Sequence, residues 1–158
     1  MAGRGLAATV LEAIARAATS DEAVRDAVRT IHEASSRYDW TGVYLLDGGG
    51  ELVLAHYQGA PTPHTRIGID TGICGAAVRE RSTIVVPDVS SDPRYLSCHL
   101  ETKSEIVVPI MKDGTVYGEI DVDSHSPDAF VEDDRRELEI IAGALAARLA
   151  ASAEGGAT

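Results

Sequence analysis

Two tight turns, each between a pair of strand-like runs, constrain the fold of this 158-residue chain more than any other feature. "GGG" separates "TGVYLLD" from "ELVLAHYQG", and "KDG" separates "SEIVVPIM" from "TVYGEIDVDS". Short glycine-containing turns join antiparallel strands, because parallel strands need a long crossover connection. The chain is therefore predicted to build an antiparallel sheet around two hairpins.

Amphipathic helices are predicted at both ends of the chain. Ser20 is expected to cap the second of two N-terminal helices, and a last helix is expected from Val131 to about Ala150. Strands enclosed between terminal helices predict an α+β domain with the helices on one face of the sheet. We expect one domain over residues 1–158, with a helical segment at about 5–36, a core at about 38–150 and a disordered tail at 151–158.

Charge and composition narrow the possible partners. The net charge of −11 makes a nucleic-acid partner a poor candidate, and no run approaches the ~20 apolar residues of a membrane helix. Because nothing indicates secretion, the cytoplasm is the expected location. The 2 cysteines are either inert buried thiols or a redox or catalytic pair, and no zinc-binding spacing is present. We therefore predict neither a metal nor a cofactor.

A cysteine in a long loop and a glutamate at a strand start are the first candidates for chemistry. Cys98 lies in "SSDPRYLSCHLETK", which is longer than most connections and is a candidate binding loop. Glu105 opens the strand "SEIVVPIM", in which both faces are apolar. Burial of that strand would favour the protonated carboxyl, whereas a strand end in water would leave Glu105 an ordinary surface acid.

The acidic strand "GEIDVDS" has two interpretations. Glu119, Asp121 and Asp123 share one strand face, and Ile120 and Val122 share the other. Such a pattern is typical of a solvated sheet face. Alternatively, the repelling carboxylates form a pocket for an ammonium group or a metal ion, although the lack of histidine argues against the metal.

Two aromatic residues and the second cysteine also have alternative roles. Trp40 and Tyr44 would pack in the core or form the wall of a small pocket for a thioether or methyl group. Cys74, in "TGICGAA", lies near a predicted helix N-terminus, which would lower the pKa of its thiol. It is otherwise a buried small hydrophobic residue, and the flanking glycines indicate close backbone approach.

The segments "YDWTGVYLLDGGGELVLAHYQG", "TRIGIDTGICGAAV", "CHLETKSEIVVPI" and "GEIDVDS" resemble the free methionine-(R)-sulfoxide reductases. The similarity extends from about Tyr38 to about Ala146. It implies a GAF fold, in which an antiparallel sheet carries the terminal helices on one face and ligand loops on the other.

The resemblance also implies roles for individual residues. Cys98 would be the catalytic nucleophile, and Glu105 would contact the substrate and protonate the sulfoxide oxygen. Asp121 and Asp123 would hold the free amino acid. The remaining substrate contacts would be aromatic, from Trp40 and Tyr44.

The expected recycling step uses the second thiol. Cys74 would condense with the Cys98 sulfenic acid to a disulfide, which thioredoxin would reduce. The chain has His64 where many family members have a further cysteine, so recycling depends on Cys74 alone. Family resemblance and the amphipathic terminal helices also predict a homodimer.

Two non-catalytic alternatives remain open from the sequence. A GAF sensor module would bind a small ligand without chemistry, or a bilin through a Cys-His pair. The short interval from Cys98 to Pro109 favours a small ligand over a bilin. A degenerate GAF domain would serve only for dimerisation.

Overall fold

The computed structural model describes residues 5–96 and 100–155. Four helices and six strands follow one another along the chain as α1 Leu6–Arg16, α2 Ser20–Ala34, β1 Trp40–Leu46, β2 Glu51–Gln58, β3 Arg66–Gly68, α3 Gly72–Glu80, β4 Ile84–Val86, β5 Ser104–Lys112, β6 Thr115–Ser124 and α4 Glu132–Gly155. The two predicted hairpins are β1–β2 and β5–β6. Both predictions are therefore confirmed.

The six strands form one sheet in the order β3-β2-β1-β6-β5-β4, and every neighbouring pair is antiparallel. The two hairpins thus meet at the sheet centre, where β1 pairs with β6. This pairing places β6 between two strands, so its side chains lie in the middle of each face.

The helices α1, α2 and α4 cover one face of the sheet, as predicted. Their apolar side chains form one core cluster with alternate residues of the central strands, among them Val43, Ile106, Ile120 and Val122. The other face carries α3 and a second, smaller cluster that includes Trp40, Tyr44 and Cys74. The α+β class and the segregation of the terminal helices are confirmed, and the second face is the one that carries the candidate residues.

Two helix boundaries differ from the sequence predictions. The cap of α2 is Thr19, whose side chain accepts a hydrogen bond from the Glu22 amide at 3.1 Å, one residue before the predicted Ser20. Helix α4 continues to Gly155, so the predicted disordered tail is wrong for residues 151–155. The alanine-rich end of α4 has high helix propensity and contains no proline to stop it. Residues 156–158 lie outside the described residues.

Helix α4 is fixed to the rest of the domain through one buried acid near its start. Asp134 accepts hydrogen bonds from the Val131 amide at 2.8 Å, from Arg37 Nη2 at 3.1 Å and from the Tyr38 hydroxyl. These contacts join the helix N-terminus to the connection between α2 and β1. Within the described residues, no helix is both long and apolar enough to cross a bilayer.

Candidate active site

The sheet register assembles four acidic side chains on the face covered by α3. Glu119, Asp121 and Asp123 alternate along β6, and Asp123 is paired with Glu105 of β5. All four residues are buried, with at most 3% of their surface exposed. The solvated alternative for the β6 face is therefore excluded. Glu105 is likewise not a surface acid, because the strand around it is buried on both sides.

Trp40 and Tyr44 form the aromatic side of this buried region. They lie on β1 with Gly42 between them, and the Trp40 ring crosses over Gly42, where a Cβ atom would be 2.3 Å from Trp40 Cη2. Trp40 Nε1 donates to the Ala60 carbonyl at 3.0 Å, and the Tyr44 hydroxyl donates to the His64 carbonyl at 2.8 Å. Gly42 was not singled out from the sequence, although Trp followed two positions later by Gly on one strand is the signal for this packing.

Cys74 comes from α3 and faces the acidic strand. Its thiol donates to Asp121 Oδ2 at 3.5 Å, and the residue is 6% exposed. Gly75 lets the helix approach the preceding segment closely, since a Cβ there would be 2.6 Å from the Ile69 carbonyl oxygen. These contacts place a thiol directly above the carboxylates.

The helix N-terminus does not lower the pKa of Cys74, contrary to the sequence prediction. Burial raises this pKa well above its usual range, and the charges of Asp121, Glu119 and Glu105 raise it further. Desolvation and three nearby acids outweigh the helix dipole. The expectation that Cys74 is buried is confirmed.

The four acids of the cluster all have raised pKa values, so they hold protons more strongly than exposed carboxyl groups do. Burial raises the pKa of Glu105 well above its ordinary value, and the charges of Asp121 and Asp123 act in the same direction. Burial likewise raises the pKa of Asp123, that of Asp121 to about 6, and that of Glu119 to about 8. Glu105 hydrogen-bonds to both aspartates. This shift favours the protonated form of Glu105, which can then act as an acid.

Several oxygen atoms of this cluster lack hydrogen bonds. They are both carboxyl oxygens of Glu119, Oδ1 of Asp121 and Oδ1 of Asp123. Among residues 5–96 and 100–155, no lysine, arginine or histidine forms an ion pair with any of the four acids. Because unpaired buried acceptors are costly, the arrangement favours a ligand that brings hydrogen-bond donors and positive charge.

The described part of the pocket is small. Its lining includes Ile67, Gly72, Ile73, Cys74, Leu96 and Glu105. Leu96 packs against Gly72, where a Cβ would be 3.2 Å from Leu96 Cβ, so the long loop enters above α3. The predicted nucleophile, Cys98, lies outside the described residues. The loop reaches the pocket at Leu96, two positions before it.

The same residues also bring three possible metal ligands close together. Cys74 Sγ and one carboxylate oxygen each from Glu105 and Asp121 lie within 4.8 Å of one another. Zinc sites usually combine thiolate and imidazole ligands in a closed set of four. No histidine joins this group within the described ranges, so the donors fit a protonated organic cation better.

Glu119→Gln is expected to stabilise the protein more at pH 8 than at pH 5. The folded state holds the Glu119 proton up to a pKa of about 8, whereas an exposed glutamate has an ordinary pKa of 4.5. As pH rises between these values the unfolded state ionises first, so the wild type loses stability on the order of a few kcal/mol. Urea unfolding at both pH values measures the effect. A variant with the same pH slope as the wild type would contradict it.

Comparison with known proteins agrees with this architecture. The GAF domain family model matches residues 19–151. GAF domain-containing protein A of Dictyostelium discoideum is 44% identical over 99 residues, which are 63% of this chain and 62% of that protein. The free methionine-R-sulfoxide reductase of Saccharomyces cerevisiae is 38% identical over 107 residues, which are 66% of this chain and 59% of that protein. The chain thus spans about three fifths of the length of these two curated relatives.

A solved structure matches almost the whole chain. The X-ray structure of free methionine-R-sulfoxide reductase from Neisseria meningitidis, in complex with its substrate, superposes with a TM-score of 0.88 at 32% identity. The match covers 98% of this chain and 96% of the Neisseria chain. The chain therefore belongs to the GAF domain family and, within it, to the free methionine-R-sulfoxide reductase family.

Proposed function

We propose that this protein reduces free L-methionine (R)-sulfoxide to L-methionine. The observation that carries the proposal is the buried group of acids beside an aromatic pair and a thiol, in a chain that matches the Neisseria reductase over almost its whole length. The substrate and its stereochemistry follow from that family membership. The buried acids and the aromatic pair provide the chemical reasons why such a substrate would bind.

Asp121 and Asp123 bind the ammonium group of the amino acid in this proposal. Each has one buried oxygen without a hydrogen bond. An ammonium group brings three donors and one positive charge, so it satisfies both oxygens and lowers the repulsion between the acids. A peptide-bound methionine sulfoxide has one amide N–H and no charge at this position. The site therefore selects the free amino acid.

Trp40 and Tyr44 hold the sulfoxide end of the substrate. Their ring centroids are 6.4 Å apart, and their polar atoms are already bonded to the backbone of the 60–64 segment. Both rings are buried in the apolar cluster beside the acids, and an apolar aromatic wall suits a methyl group and a polarisable sulfur atom. Trp40 also stacks on Tyr57 at 5.8 Å, which limits its freedom to rotate.

The reduction transfers oxygen from the substrate to Cys98. The Cys98 thiolate attacks the sulfoxide sulfur, while Glu105 donates its proton to the sulfoxide oxygen. The attack forms a bond between the two sulfur atoms, and the S–O bond breaks as the protonated oxygen leaves as hydroxide. Hydroxide then adds to the Cys98 sulfur while the sulfur–sulfur bond breaks, so methionine leaves and Cys98 becomes a sulfenic acid. Glu105 suits this role because burial and the neighbouring aspartates raise its pKa and favour its protonated form.

Recycling completes the cycle through Cys74. This thiol condenses with the sulfenic acid to a disulfide and water, and thioredoxin reduces the disulfide by exchange. His64 stands where many family members carry a further cysteine, so Cys74 is the resolving thiol in this proposal. A cytoplasmic location belongs to the proposal because thioredoxin keeps thiols reduced there.

A homodimer is also part of the proposal. Three apolar residues of the terminal helices or their flanks keep more than a third of their surface exposed, namely Leu11, Val131 and Ile140. Exposed apolar side chains on amphipathic helices support an interface between two copies. Family membership is the other support for this assembly.

A substrate panel tests the function. Wild-type protein with thioredoxin, thioredoxin reductase and NADPH is expected to consume free L-methionine (R)-sulfoxide, and to leave the N-acetylated and peptide-bound forms nearly untouched. Asp123→Ala should weaken binding by about 1.5–3 kcal/mol, the usual contribution of a hydrogen bond to a charged group. Equal rates on free and N-acetylated substrate would reject the ammonium site. Binding of the free sulfoxide without turnover would instead identify a GAF sensor.

A further inference from the structure

Disulfide formation requires Cys74 to lose its proton, and its surroundings make that difficult. Only the thiolate is a competent nucleophile. Cys74 is buried, and desolvation together with three nearby acids holds its pKa well above the usual range. A proton on a thiol so placed does not pass easily to bulk water. A base in contact with the sulfur atom has to receive it.

We propose that Asp121 accepts the proton of Cys74 during disulfide formation, so that this carboxylate serves first the substrate ammonium and then the resolving thiol. The geometric basis is the hydrogen bond from Cys74 Sγ to Asp121 Oδ2 at 3.5 Å, in a buried position. The inference rests on the proposed function, since it needs a sulfenic acid on Cys98. It adds a catalytic role that ammonium binding does not imply.

The step balances in atoms and electrons. The S–H proton of Cys74 moves to Asp121, and the thiolate attacks the sulfenic sulfur of Cys98. The S–S bond forms as the S–O bond breaks, so Cys74 is oxidised and the Cys98 sulfur is reduced. Asp121 then returns the proton to the departing hydroxyl group, which leaves as water. No further reactant is needed.

The other acids around Asp121 are less suited to this task. Glu105 on β5 and Asp123 on β6 have raised pKa values and hydrogen-bond to each other. Glu119, two positions away on β6, stays protonated up to a pKa of about 8. Asp121, with a pKa of about 6, is ionised at neutral pH and already accepts from the thiol. On β1 its neighbour is Gly42, which carries no titratable group.

One consequence is an order of events. While an ammonium group is paired with Asp121, the positive charge lowers the pKa of the carboxylate and weakens it as a base. The carboxylate in contact with Cys74 is therefore occupied until methionine has left. Disulfide formation should follow product release, and free methionine at high concentration should delay it.

The test bypasses the substrate by making the sulfenic acid with one equivalent of hydrogen peroxide. Samples taken over time are quenched with dimedone and a thiol-alkylating reagent, and mass spectrometry quantifies the Cys74–Cys98 disulfide. Asp121→Asn is expected to slow disulfide formation at least about tenfold, with Cys98 accumulating as the dimedone adduct. Asp113→Asn, the same chemical change in the exposed turn between β5 and β6, is the matched control and should react at close to the wild-type rate.

Two further measurements separate a chemical role from a structural one. In the wild type the disulfide rate should fall as pH drops through about 6, whereas Asp121→Asn should lose that dependence. Saturating methionine should slow the wild-type step, and N-acetylmethionine, which lacks the ammonium group, should not. The wild-type pH profile needs no variant, so a rate that does not fall as pH drops through about 6 would overturn the proposal even if Asp121→Asn fails to fold.

The outcomes are distinguishable from those of the proposed function. A wild-type disulfide rate in folded Asp121→Asn, or an equal slowing in Asp113→Asn, would overturn the assignment of Asp121 as the base. Indifference of the wild-type step to methionine would overturn the order of events. If peroxide produces the disulfide but methionine sulfoxide does not, the reductase proposal fails while the role of Asp121 stands.

Discussion

Cys98→Ser should abolish methionine formation even in a single turnover, with a fall of roughly a thousandfold or more. A serine hydroxyl remains protonated at neutral pH and is a weak nucleophile, whereas the reaction needs a thiolate. Rapid quench followed by quantification of free methionine measures the loss. The prediction tests the assignment of Cys98 as nucleophile, and the loop that contains Cys98 reaches the pocket at Leu96.

Cys74→Ser is the matched control for this experiment. It makes the same chemical change at the only other cysteine of the chain. It should still release about one methionine per protein without reductant, and then stall when thioredoxin is the only electron donor. The trapped variant should carry dimedone on Cys98. Normal turnover of Cys98→Ser, or dimedone on Cys74 of the wild type, would show that the two thiols have been assigned the wrong roles.

The second large effect is expected for Glu105→Gln. The amide keeps the shape of the side chain but has no acidic proton, so turnover should fall roughly a hundredfold to ten-thousandfold, the usual contribution of general acid catalysis. Substrate affinity should change much less, because Asp121 and Asp123 remain. Comparison of kcat with the dissociation constant of the sulfoxide separates the two effects.

The pH profile gives an independent check on Glu105. Its pKa is raised well above its ordinary value, so the wild type should keep its acid at neutral pH and lose activity as pH rises through the raised pKa. The residual activity of Glu105→Gln should lack that limb. Glu33→Gln, the same substitution at an exposed position of α2, should retain most of the wild-type kcat. An unchanged kcat in Glu105→Gln would remove this residue from the mechanism.

Local patterns in the sequence were sufficient to predict the hairpins, the terminal helices and much of the architecture. The turns "GGG" and "KDG" predicted both hairpins, and helical periodicity predicted the terminal helices that cover one face. Apolar residues on both faces of "SEIVVPIM" predicted a buried strand but left open whether Glu105 at its start is buried, as the structure shows. These features depend on interactions between residues close in sequence or on a two-residue period, so a single chain contains the information.

The two-residue period could not show whether the acidic face of β6 is buried or exposed to solvent. Alternation in "GEIDVDS" shows that three acids share a face, but a solvated face and a buried one have the same alternation. The structure decides between them because β6 pairs with β1 and β5 at the sheet centre and α3 lies above it. That burial is the largest cause of their raised pKa values, and the charges of neighbouring acids add to it.

Cys74 is the clearest example of a residue whose pKa the local sequence could not predict. Its position near a helix start predicted a lowered pKa, which is a local effect of the helix dipole. The structure brings the thiol to Asp121, 47 residues further along the chain, and removes it from water. Desolvation and charge depend on contacts between distant segments, so they arise only when α3 packs on the sheet. By itself, then, the sequence determined which residues form the strands and helices; the tertiary structure alone decided which acids lose water and which thiol they surround.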